Sequence, residues 1–83
     1  MHATTFSRRI TLPQNTRYFR KTGPHSSLLA RTGQGLSAGS IISIGDPEPV
    51  VYDYRDQIAV PFLMYDEIFY MIVTEIGLSE LVN

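Results

Sequence analysis

The chain has 83 residues, and its seven basic and eight acidic residues give a formal net charge of −1. A chain of this length has room for one domain and buries only about 60–65% of the surface that it exposes when unfolded. It contains no cysteine, which excludes a disulfide framework or a thiolate metal site and leaves close packing or association with a partner to stabilise the core. The lack of cysteine also suits a reducing compartment, and we expect a cytoplasmic protein.

The first predicted element is a strand at residues 4–12, which alternate with the period of a half-buried strand and place Phe6, Ile10 and Leu12 on one side. Arg8 falls on the same side. It is therefore predicted either at a sheet rim with its head in water or against a bound anion. The N-terminal residues lack the apolar segment of a secretory signal, so we expect no export by that route.

A second short strand is predicted at residues 16–21, after Pro13 ends the first. The short connection between them has hairpin length, so the two strands are expected to pair. Residues 22–39 are rich in Gly, Ser and Thr and are predicted to be the most mobile internal part of the chain. Within them we expect a helical turn at 26–32 and a mobile loop at 33–39.

Two further strands are predicted on either side of a break at residues 45–49. The apolar runs Ile41–Ile44 and 50–54 flank this break, and the pattern predicts a hairpin with a five-residue loop. Another turn precedes a strand at 58–62. Pro61 cannot donate to a β-ladder, which indicates an edge strand or a bulge.

The segment 65–76 fits two structures. As a helix it would receive Asp66 and Glu67 near its positive N-terminal end and stop at Gly77. As a strand it would be apolar on both faces and rich in β-branched and aromatic residues. These residue types favour the strand. The most apolar stretch, 58–76, carries three acidic residues, so we expect a core segment and no membrane partner.

Together these elements predict a mainly β fold: a small antiparallel meander or partly open barrel with a helical turn at 78–82. The alternative is an α+β fold with a helix at 65–76. One domain is expected over residues 1–83. Its predicted parts are a basic N-terminal segment (1–21), a flexible Gly/Ser-rich stretch (22–39) and a β-rich acidic core (40–83).

Charge is ordered along the chain, since six of the seven basic residues precede residue 46 and all eight acidic residues lie at or after it. The first part therefore carries +6 and the second −7, from one arginine against eight acids. Such asymmetry is typical of an interaction arm or a bipolar surface. In one interpretation the two parts fold against each other and pair their charges, each exposed pair contributing about 0–1 kcal/mol.

In two other interpretations the charges bind a second molecule. The basic segment can bind an anion or nucleic acid by combining phosphate contacts with aromatic stacking. The residues predicted for this role are Arg8, Arg9, Arg17, Tyr18, Arg20 and Lys21. The acidic second half can dock on a basic protein or on the basic segment of another copy. The residues predicted for that role are Tyr52, Asp53, Tyr54 and Asp56.

No motif indicates catalysis, a cofactor or a metal site. Gly33, Gly35 and Gly39 precede an apolar strand instead of opening a helix, so they do not fit a dinucleotide-binding loop. His2 and His25 have no partner at metal-ligand spacing. We therefore predict a protein without enzymatic activity or a cofactor.

These observations predict a non-enzymatic protein–protein interaction module that self-associates as a homo-oligomer. Small cysteine-free chains of this kind include virion components and inhibitors from phages and mobile elements, an association that rests on size alone. The alternative is a small nucleic-acid-binding protein that uses its basic first half.

Overall fold

The computed structural model describes residues 5–21, 29–52 and 55–82, with the backbone alone described at 29–31, 50–52 and 55–56. Seven strands and one helix lie in these ranges: β1 (Arg8–Thr11), β2 (Thr16–Lys21), β3 (Leu29–Leu36), β4 (Ile41–Ile44), β5 (Glu48–Tyr52), β6 (Arg55–Met64), β7 (Glu67–Val73) and α1 (Glu75–Val82). The strands form one antiparallel sheet in the order β1-β4-β6-β7-β2-β3, with β5 paired to β6. The predicted mainly β fold with a short C-terminal helix is confirmed.

Two strand pairs of this sheet, β1–β4 and β2–β3, form one bent two-stranded ribbon. β1 pairs with β4 from Arg8↔Ile44 to Thr11↔Ile41, and β2 pairs with β3 beginning at Thr16↔Leu36. The same number of residues separates Thr11 from Thr16 as separates Leu36 from Ile41. The register between the β1–β2 segment and the β3–β4 segment is therefore continuous through the bend.

The bend itself is held by hydrogen bonds. The Leu12 amide donates to the Ser40 carbonyl at 2.9 Å, and the Gly39 amide donates to the Leu12 carbonyl at 2.8 Å. Asn15 Oδ1 accepts a hydrogen bond from the Ala38 amide at 2.9 Å. Gly39 has a φ of 88°, in the left-handed region that glycine adopts without steric cost.

Three predictions for this part of the chain are wrong. The strand at 16–21 exists, but it does not pair with β1, because Pro13 and its neighbours turn the ribbon instead of closing a hairpin. The helical turn expected at 26–32 is wrong over 29–32, and the loop expected at 33–39 is wrong over 33–36, because β3 spans Leu29–Leu36 and pairs with β2. Residues 22–28 lie outside the described part of the chain.

Pairing in the second half also differs from the prediction. β4 and β5 do not form a hairpin, since β4 lies between β1 and β6 while β5 pairs with β6. β6 begins at Arg55, where a turn was expected, and it is flanked by β7 on one side and by β4 and β5 on the other.

Pro61 is buried inside the sheet and not at an edge. Its carbonyl accepts a hydrogen bond from the Gly45 amide at 2.8 Å. In an extended strand the nitrogen and carbonyl of one residue point to the same side, so the missing N–H of Pro61 faces the chain between β4 and β5. The predicted edge or bulge is replaced by a local gap in the ladder, which tolerates a proline.

β6 and β7 form a long hairpin in register from Ile58↔Val73 to Met64↔Glu67. The prediction of a strand in the segment 65–76 is confirmed for Glu67–Val73. The hairpin turns at Tyr65 and Asp66, which have φ values of 54° and 62°. Positive φ at both central residues is the pattern of a type I′ turn, which matches the twist of the flanking strands.

The core lies on one face of the curled sheet. Its buried members are Ile10, Leu12, Tyr18, Ile42, Ile44, Val60, Phe62, Phe69 and Met71. The Tyr18 ring packs edge-on against Phe69 and Phe62, with centroid distances of 5.0 and 5.9 Å.

Helix α1 covers this core with Leu78, Leu81 and Val82. Thr74 caps the helix, because its Oγ1 accepts a hydrogen bond from the Gly77 amide at 3.0 Å. No helix in the described ranges is long and apolar enough to cross a membrane.

Candidate interaction surface

The two faces of the β6–β7 hairpin are both apolar. Phe62 and Phe69 are paired across the hairpin and point into the core, where they are 0% and 3% exposed. Successive side chains in a strand point to opposite faces. The next pair, Leu63 and Ile68, therefore lies on the outer face of the sheet, where the two side chains are 40% and 47% exposed.

We call the exposed apolar residues at this end of the outer face and at the tip of the hairpin the hairpin patch: Ile41, Leu63, Tyr65 and Ile68. Ser43 on β4 is opposite Leu63, so Ile41, two residues along the same strand, shares its face. Tyr65 stands at the tip and is 86% exposed, and Ile41 is 60% exposed. Contiguous exposed apolar side chains of this kind mark interaction sites more often than isolated ones do.

Charges of both signs border the hairpin patch. Asp66 is exposed at the hairpin tip. Lys21 lies on the outer face, with its Nζ 5.4 Å from the centroid of the Tyr70 ring, and Arg9 is paired opposite Ser43. An apolar centre with a polar, charged rim is the usual composition of a protein–protein interface.

Further along the outer face, away from the turn, the apolar side chains Ala59 and Tyr70 are buried. Ala59 and Tyr70 form a small second cluster, 0% and 7% exposed, against which Ile72 packs. Among the hairpin side chains that the structure describes, the exposed apolar ones therefore lie at the turn end.

The basic residues predicted to bind nucleic acid lie on β1 and β2, and the structure assigns them different surroundings. Tyr18 is only 5% exposed, and its hydroxyl donates to Gln34 Oε1 at 2.8 Å. Its ring is therefore enclosed by the core and does not present a face on which a base could stack.

Arg20 contacts residues of its own chain. Its Nη2 lies 3.2 Å from Glu67 Oε2, with both side chains more than half exposed, and its Cζ lies 4.8 Å from the Phe69 ring centroid. This ion pair joins the basic segment to the acidic second half. Arg17 and Lys21 are exposed on the same strand.

Arg8 lies at the rim of the sheet with an exposed side chain, as one of the two interpretations of its position predicted. Its Nη1 donates to the Val82 carbonyl at 2.9 Å. This carbonyl is at the C-terminal end of α1, where a cation is favoured by the helix dipole. Arg9 is exposed on the opposite face of β1.

The predicted acidic and aromatic partner-binding set lies where side chains are not described. Asp53 and Tyr54 are outside the described residues, and Tyr52 and Asp56 are placed by backbone alone, near the β5–β6 connection. The hairpin patch was missed by the sequence reasoning. The signal for it was the apolar character of both faces of segment 65–76, which indicated more apolar surface than one core needs.

The described residues contain no group of three or more His, Asp or Glu side chains that could hold a metal ion. Comparison of the chain with protein-family models, with curated proteins and with solved structures gives no match.

Proposed function

We propose that this protein is a non-enzymatic protein-interaction module that self-associates through the hairpin patch. The observation that carries the proposal is the exposed group Ile41, Leu63, Tyr65 and Ile68 on the outer face of a well-packed hairpin. Covering these side chains removes apolar area from water, which stabilises a complex by about 25 cal/mol per Å² before the cost of association.

A second copy of the chain is the occupant that the border charges favour. A symmetric dimer places the same patch against itself, so each charge meets the rim of the other copy. The patch carries Asp66 at its tip and Lys21 and Arg9 along its sides. These opposite charges can pair between copies, which would fix the orientation of the dimer more than its affinity.

Self-association also fits the size of the chain, because a small core without a disulfide gains stability from a partner. The hydroxyl of Tyr65 gives the patch a polar end, and such amphipathic rings are common anchors at interfaces.

The test is the mass of the protein in solution, measured by light scattering after size exclusion over a range of concentrations. We expect a dimer that Ile68→Lys and Leu63→Lys convert to a monomer, because each buries a charge in the interface. The matched control is Ile76→Lys. Ile76 is 73% exposed but lies on α1, outside the patch, so its variant should remain dimeric.

Charge reversal tests the orientation. Asp66→Lys and Lys21→Asp should each weaken the dimer, and the double variant should recover part of the loss. A monomer at every concentration would overturn the proposal. Binding of single-stranded nucleic acid that falls steeply with salt, and is lost on replacing Arg17, Arg20 and Lys21 by Ala, would favour the alternative function instead.

A further inference from the structure

A separate cleft opens between β2, β7 and α1, away from the hairpin patch. Its volume is about 440 Å³. Its lining includes Thr16 and Arg17 of β2, Ile72 and Val73 of β7, and Glu80 and Leu81 of α1, none of which is buried. The buried Leu12 and Met71 lie behind them.

The cleft lies where the described pairing between β2 and β7 ends. The two strands are in register at the pair Phe19↔Tyr70, and in the described residues the pairing does not continue to Arg17 and Ile72. On its other side, β2 shifts register against β3 between Arg17 and Phe19.

The main chain of Ile72 points into this cleft. The Pro61 carbonyl points to Gly45 and hence away from β7, so Pro61 and Tyr70 form a pair without mutual hydrogen bonds. The N–H and C=O of Tyr70 must then point toward β2. Ile72 has the same parity in the strand as Tyr70, so its N–H and C=O point the same way.

The opposite wall has a matching arrangement. The Tyr18 carbonyl accepts a hydrogen bond from Thr32 Oγ1 and so points toward β3. The main-chain groups of the neighbouring Arg17 and Phe19 therefore point toward β7. Both walls of the cleft thus present strand main-chain groups, Arg17 on one and Ile72 on the other, across a gap in the sheet.

We propose that this cleft binds an extended apolar segment of a partner protein, which adds to β7 as a short strand opposite Ile72. A strand is the occupant that supplies main-chain donors and acceptors at the spacing that a strand edge presents, and side-chain pockets then select its sequence. Val73 and Leu81 give the cleft apolar walls for one side chain. Arg17 and Glu80 provide opposite charges at its rim for polar neighbours.

The test uses a blocked probe peptide, acetyl-Thr-Val-Ile-Thr-amide, titrated into ¹⁵N-labelled protein. We expect chemical-shift changes at the amides of Arg17 and Ile72 and slower hydrogen exchange at Ile72. The matched probe carries an N-methyl group on its isoleucine, which removes a donor and blocks the strand edge. It should bind about tenfold more weakly or worse, the loss expected for one main-chain hydrogen bond.

Variants of the full chain locate the site. Glu80→Trp fills the cleft from an exposed helix position and should abolish the shifts, whereas Glu80→Gln removes only the charge and should retain them. Glu75→Trp places the same ring on α1 outside the cleft lining, and it should bind the probe as the wild type does.

Equal binding of the methylated probe would overturn strand addition and leave a small-molecule or side-chain pocket. Absence of shifts at Arg17 and Ile72 at millimolar probe would overturn the site. The Ile68→Lys variant should still bind the probe, because the hairpin patch is elsewhere. Failure of the dimer proposal and failure of this one are therefore distinguished in the same samples.

Discussion

Phe62 and Leu63 are neighbours in one strand, and so are Phe69 and Ile68 in the next, yet each pair divides between two environments. Phe62 and Phe69 are enclosed with Tyr18 in the core, while Leu63 and Ile68 are partly exposed on the outer face. Apolar residues in one strand therefore have two uses. One face of this hairpin stabilises the fold, and the other is available for a partner.

The largest effect on stability should come from a substitution on the core face of the hairpin. Phe62→Ala removes a side chain that is 0% exposed, and such truncations cost about 3–5 kcal/mol. A domain of this size has a free energy of unfolding of roughly 4–12 kcal/mol, so the variant should lose much of its stability in urea unfolding.

The matched variant on the outer face is Leu63→Ala. Because Leu63 is 40% exposed, its truncation should lower the unfolding free energy by about 1 kcal/mol or less. It should weaken the dimer instead. Similar losses of stability when the two truncations are made in the monomeric Ile68→Lys protein, where association no longer contributes, would contradict the division between the faces.

A smaller effect is expected at the turn that joins the two strands. Tyr65 and Asp66 both have positive φ, a conformation that costs non-glycine residues roughly 1 kcal/mol or more. Replacing the pair by Asn and Gly should raise the unfolding free energy by about 1 kcal/mol. It should also weaken the dimer, since it removes the most exposed ring of the hairpin patch.

Asp66→Gly alone is the control for the turn. It relieves strain at one position and keeps the Tyr65 ring, so thermal unfolding should show part of the stabilisation, while the dimer should be weakened less than by the Asn-Gly replacement because only the Asp66 charge is lost. If the Asn-Gly replacement lowered the unfolding free energy of the monomeric Ile68→Lys protein, where association no longer contributes, the assignment of strain to this turn would be wrong.

The smallest effect should follow from the ion pair at the core-facing edge of the hairpin. Arg20 and Glu67 are both more than half exposed, and exposed pairs contribute about 0–1 kcal/mol. A double-mutant cycle with Arg20→Met and Glu67→Gln should give a coupling in that range that declines in high salt. A coupling of several kcal/mol would show that charge pairing between the two parts of the chain is a main source of stability.

The sequence predicted the strand content well because the signals were local. β-branched and aromatic residues favoured a strand over a helix in segment 65–76, and alternation marked Ile10 and Leu12 as buried. The mainly β class followed from such signals.

Strand pairing could not be predicted in the same way, because partners distant in sequence compete with neighbours. The local sequence around Pro13 predicts a hairpin loop. In the sheet, Pro13 belongs to a bend in which Leu12 accepts a hydrogen bond from the Gly39 amide and donates one to the Ser40 carbonyl. Pro61 similarly predicts an edge strand. It is tolerated in a central strand because its missing N–H faces Gly45, in the chain between β4 and β5. The hairpin patch needed the register of β6 and β7 before its residues could be grouped.

Because the ribbon is continuous through its bend, the register of the β1–β4 pair constrains the register of the β2–β3 pair. A slip of one residue between β1 and β4 would turn Ile10 out of the core. Because the alignment passes unbroken through Leu12 to the Thr16↔Leu36 pair, the same slip would have to be absorbed at the bend or transmitted to β2. There it would reach the register shift between Arg17 and Phe19, beside the buried Tyr18. A misaligned chain therefore loses the burial of Ile10 and must also rearrange the bend or β2, which favours a single native alignment in a domain too small to rely on a large core.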